Sequence, residues 1–78
     1  MSVRSAILQQ MTDTAAQQKK TLAPLTDGLK LAESGMDSLC LALIVAALDD
    51  NLGLDPFGSN PPFPVTVGDF ITLYENVA

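Results

Sequence analysis

Three stretches of the chain carry a helical rhythm. From Ser2 to about Lys20 the apolar residues Val3, Ile7, Leu8, Met11 and Ala15 recur at helical spacing, with Gln9, Gln10, Asp13, Gln17 and Gln18 between them. This predicts an amphipathic helix with one apolar stripe. Lys19 and Lys20 fall at its C-terminal end, where cations suit the helix dipole. Leu39 to Leu48 is an unbroken apolar run of ten residues. It predicts a helix from about Ser38 to Asn51 or Leu52, capped by Asp37 or Ser38 and stopped by Gly53. A helix apolar on all sides belongs at the centre of a small bundle. Val67, Phe70, Ile71, Tyr74 and Val77 follow the same spacing and predict a last helix over 67–76. Thr66, with Asp69 three residues on, reads as a variant capping box that opens it.

The connections carry their own signals. Residues 21–35 hold Pro24, which blocks helix continuation, and the turn pair Asp27-Gly28. Leu22, Leu25, Leu29 and Leu31 are too many leucines for a free linker and are expected to pin this segment onto the helices, with a short helical turn near Lys30 to Glu33. The connector 55–64 contains Pro56, Gly58, Pro61, Pro62 and Pro64. At most one helical turn fits there, and Phe57 and Phe63 are expected to anchor it. The predicted fold class is all-α, a small bundle of three to four helices in a single domain over 1–78.

Composition narrows the function classes. With four Lys+Arg against nine Asp+Glu the net charge is -5, which argues against non-specific nucleic-acid binding and fits basic protein partners. The chain has no histidine. That removes the usual general base and excludes a Ser-His-Asp site or a His-containing zinc site. The single cysteine, Cys40, cannot form an intramolecular disulfide. Within the apolar run it reads as inert packing rather than a redox switch. The N-terminal segment lacks an apolar signal core, and the run of ten is about half of what a membrane span needs. A cytoplasmic, soluble, monomeric protein is expected, with no membrane span and no resident metal.

The one chemically usable pattern is Glu33-Ser34-Gly35-Met36-Asp37-Ser38-Leu39, which sets a hydroxyl where a loop becomes the first turn of a helix. Taken alone, Asp-Ser ahead of an apolar run is a helix cap. In this sequence, however, Gly35-Met36-Asp37-Ser38-Leu39 closely resembles the phosphopantetheine attachment site of acyl carrier proteins. The resemblance extends to the order and approximate lengths of the helices and loops over essentially the whole chain. It implies a non-enzymatic carrier of acyl-carrier-protein type whose Ser38 bears 4'-phosphopantetheine from coenzyme A. A phosphopantetheinyl transferase would attach it, with Asp37 helping to position that enzyme and its metal. The arm's thiol would hold acyl intermediates as thioesters. An acyl- or aminoacyl-activating ligase and a downstream synthase or transferase would be the further partners. The docking surface implied is Met36, Leu39, Ala42, Leu43 and Ala46, with Asp49 and Asp50 at the far end.

Two departures from the family pattern bear on the pathway. Positions often acidic in carriers of fatty acid synthesis hold Cys40 and Leu43, and a proline-rich loop replaces an acidic short helix before the last helix. Both point to a free-standing carrier of a specialised lipid or secondary-metabolite pathway, with docking that rests less on steering charges. The alternatives are an aminoacyl or peptidyl carrier served by an adenylate-forming ligase and, in another class, an unmodified helical interaction module.

Overall fold

The computed structural model describes residues 2–59 and 62–77. Three helices form a small all-α bundle: α1 is Val3–Gln17, α2 is Ser38–Leu52 and α3 is Val67–Val77. Single 3-10 turns at Leu31–Glu33 and Pro56–Ser59 occupy the two connections, as the leucine and proline patterns lead one to expect. Pro61 of the connector lies outside the described residues. The core joins Ile7 and Met11 of α1, Cys40, Ile44 and Leu48 of α2, and Val67, Phe70, Ile71 and Tyr74 of α3. Leu31 is buried with them, and Leu22, Leu25 and Leu29 pack against the cluster, so the long connection is pinned down rather than free.

Helix α1 starts on a Ser2 cap whose hydroxyl accepts the Ser5 N–H at 3.1 Å. It ends at Gln17, short of the expected Lys20. Lys19 takes a left-handed conformation, φ 57°. The Lys19 N–H then reaches Ala16 O at 3.2 Å and the Lys20 N–H reaches Ala15 O at 2.8 Å. This pair of bonds is a Schellman turn, which closes off the last carbonyls of a helix. Such turns favour glycine, because a side chain makes the left-handed state costly by about 1 kcal/mol or more. No glycine marks the position, which is why the end of the helix is not visible in the sequence.

The apolar run of α2 is not buried on all sides. Cys40, Ile44 and Leu48 are fully enclosed, but Leu39 is 57% and Leu43 39% exposed, and Ala42 and Ala46 also face outward. The helix packed against both of the others is the more polar α1. With few neighbours available, α2 has a single stripe in the core, spaced four residues apart.

Helix α3 opens on the expected capping box. Thr66 Oγ accepts the Asp69 N–H at 3.0 Å, and the Asp69 carboxylate accepts the Thr66 N–H at 3.3 Å. Val67, Phe70, Ile71 and Tyr74 are buried, but Val77, expected in the same stripe, is 46% exposed at the open end of the helix. The long connection is laced to the start of α3: Leu31 N–H reaches Val65 O and Val67 N–H reaches Leu29 O, both at 2.9 Å. Arg4 of α1 pairs with Asp27 on the same connection. In the second connector, Phe57 packs on Phe70 and Tyr74 as an anchor. Phe63 does not sink into the core. It is 66% exposed and stacks on Phe57 with ring centroids 6.2 Å apart.

Candidate functional site

The stretch Ser34–Ser38 is fixed from both sides. Ser34 is buried; its hydroxyl donates to Leu31 O at 2.6 Å and accepts the Met36 N–H at 3.2 Å. Gly35 has φ 97°, and a Cβ there would lie 2.2 Å from the backbone oxygen of Thr21. Only glycine satisfies both the angle and the close approach. The glycine of the sequence motif is thus where the two ends of the long connection cross, with Ala23 N–H bonded to Ser34 O at 2.9 Å.

Asp37 is the N-cap of α2. Its backbone is extended, and its carboxylate accepts the Cys40 N–H at 2.9 Å. The second carboxylate oxygen lies 3.2 Å from the ammonium of Lys20, which the turn at Lys19 brings across from α1. The Cys40 hydrogen bond and then Lys20 hold the Asp37 carboxyl down at about 2, well below the usual carboxylate range. Ser38 follows as the first residue of α2 and is exposed. Its side chain sits beside the positive end of the helix dipole, a setting that favours an anionic substituent.

An open groove of about 500 Å³ begins at Ser38 and runs along Leu41, Ala42 and Val45, facing Phe57, Phe63 and Phe70. A second hollow of about 430 Å³, lined by Leu31, Met36 and Val65 among others, also reaches Ser38. Phe63 and Leu41 border both. The hydroxyl therefore stands at the meeting point of two largely apolar depressions.

The expected docking residues divide. Leu39, Ala42, Leu43, Ala46, Asp49 and Asp50 are exposed on α2. Met36 is corrected: at 5% exposure it belongs to the core, because the turn at Gly35 directs the chain inward before Asp37 brings it back to the surface. Two features of the site were not read from the sequence. The sequence places Lys20 only at the C-terminal dipole of α1, and its approach to Asp37 depends on a left-handed lysine. The sequence predicts Phe57 and Phe63 as anchors, whereas both also wall the groove beside Ser38; two aromatics within a proline-rich connector are the signal for it. Among the described residues no group of three or more His, Cys, Asp or Glu side chains is placed to hold a metal ion, and no helix is long and apolar enough to cross a membrane.

No protein-family model, no curated protein and no solved structure matches this chain.

Proposed function

We propose that the protein is a free-standing acyl carrier whose Ser38 bears a phosphopantetheine arm. The observation that carries this reading is the setting of Ser38. An exposed hydroxyl opens α2, directly after an ionised Asp cap, and an apolar groove begins beside it. The residues present suit the arm. Ser38 Oγ would bond to the pantetheine-side phosphorus of coenzyme A as its pyrophosphate bond breaks, with adenosine 3',5'-bisphosphate as the leaving group and the hydroxyl proton taken up by the transferase. The start of α2 favours the resulting anion. When attached, the arm supplies a thiol that holds the acyl group as a thioester. Asp37 keeps the first turn of α2 closed by capping Cys40 N–H, so that Ser38 is presented at a defined helix start.

Partners meet the outer face of α2. Leu39, Ala42, Leu43 and Ala46 form an apolar strip next to Ser38, and Asp49 and Asp50 supply acidic contacts at its far end. Such a strip suits partner enzymes with an apolar seat and a basic rim. The groove has mostly apolar walls, which favours an acyl cargo over a charged aminoacyl one.

Incubation with coenzyme A and a broad-specificity phosphopantetheinyl transferase, followed by intact mass, tests the reading. The wild type gains one phosphopantetheine and Ser38→Ala gains none. A folded wild-type protein that gains nothing refutes it.

A further inference from the structure

The two oxygens of the Asp37 carboxylate have different kinds of partner. One accepts the Cys40 N–H at 2.9 Å, a local cap that Asp or Asn can provide. The other meets the Lys20 ammonium at 3.2 Å, which arrives from a different helix. Lys20 reaches it because Lys19 is left-handed, φ 57°, and because the Lys20 N–H is tied to Ala15 O at 2.8 Å. A glycine at residue 19 would end α1 at lower conformational cost. The chain has four Lys+Arg residues in all. Arg4 is engaged with Asp27, and among the described residues Lys20 is the cation in an ion pair at the start of α2.

On the reading that Ser38 carries a phosphodiester-linked arm, we propose that Lys20 is a positioning residue of the modified state. It is the counter-ion that allows the Asp37 carboxylate and a phosphodiester on Ser38 to occupy consecutive residues at one helix start. Modification adds a permanent negative charge next to an existing one, and both draw on the same helix dipole. Without a nearby cation, the repulsion is relieved most readily by releasing the Asp37 cap, which frays the turn that presents the arm. An ammonium has three donors, so Lys20 keeps donors for a second anion while it meets Asp37. The same ion pair in the unmodified protein is exposed and contributes little.

The test compares apo and holo forms of the wild type, Lys20→Met and Lys20→Arg, together with Lys20→Met in an Asp37→Asn background. Lys20→Met is expected to lower the apo Tm by about 2 °C or less, the effect of an exposed ion pair, and the holo Tm by at least twice as much. Lys20→Arg restores most of the difference. In the Asp37→Asn background, with one anion removed, Lys20→Met should leave the apo Tm unchanged and lower the holo Tm by less than it does when Asp37 is present. A readout independent of unfolding is the phosphorus NMR signal of the holo form, followed as acid titrates Asp37. In Lys20→Met the midpoint moves up toward the ordinary carboxylate range. Equal Tm losses in apo and holo overturn the role of Lys20 whatever the titration shows, because the ion pair with Asp37 alone moves that midpoint, and they leave the carrier reading standing. A folded wild type that takes up no phosphopantetheine overturns both.

Discussion

Cys40, Ile44 and Leu48 line one side of α2 and are enclosed, whereas Leu39, Ala42, Leu43 and Ala46, drawn from the same apolar run, face outward. The two faces are made of similar residues, so hydropathy does not distinguish them. What distinguishes them is which face α1 and the core cluster reach. The inner face holds the fold together through close packing, in which each lost methylene leaves a void. The outer face adds little to folding, since its side chains meet water in both the folded and unfolded states. Under the proposed function it is kept apolar for partners that dock beside Ser38.

Ile44→Ala tests the inner face most severely. It should cost about 3 kcal/mol, the range for emptying a fully buried aliphatic site, read as a fall in the urea midpoint. Any Ile44→Ala protein that remains folded should still be modified at Ser38, because the residue is remote from the presenting turn. A loss within about 0.5 kcal/mol would mean that the inner face is not the packed core described above.

The next effect concerns a weak point on that packed side. Tyr74 is buried, and among the described residues its hydroxyl is the one buried side-chain polar atom without a hydrogen-bond partner. Burial, and then the charges of Asp55 and Asp49, push its pKa up to about 12. In the unfolded chain the phenol ionises near its ordinary value of 10.0. Its contribution is therefore fully present below pH 10 and is lost as the pH rises toward about 12. Urea titrations across that range should show a decline of up to roughly 2 kcal/mol that is absent in Tyr74→Phe. At neutral pH Tyr74→Phe should be at least as stable as the wild type, since it removes a desolvated and unpaired hydroxyl.

The smallest expected change in stability sharpens the comparison from the other side. Leu43→Glu on the outer face should shift stability by no more than about 0.5 kcal/mol. It should also lower the kcat/KM for phosphopantetheinylation about tenfold, the size of a modest interface hot spot. A substantial loss of stability with unchanged modification would reverse the roles assigned to the two faces.

The sequence was informative wherever a local pattern has a local cause. Two of the helices follow from apolar spacing, and α2 follows from an unbroken apolar run between a cap and a stop. The box at Thr66 and Asp69, the cap at Asp37 and the stop at Gly53 follow from short-range hydrogen bonding and backbone preference. The candidate site was legible to the same extent. Gly35, Asp37 and Ser38 announce a turn and a helix start, and the structure adds the reason for the glycine in the close approach of Thr21.

Only the tertiary structure decided which apolar residues count as core. The burial of Met36, the exposure of Leu39, Leu43, Phe63 and Val77, and the greater engagement of α1 over the more apolar α2 all depend on neighbours distant in sequence. The same holds for the ion pair between Lys20 and Asp37, which spans two helices and turns on one left-handed lysine. Local sequence determines backbone conformation through steric and hydrogen-bonding preferences that act within a few residues. Burial and electrostatic pairing are set by how many elements a small chain can place around each face, and a short bundle leaves one side of even its most apolar helix open to water.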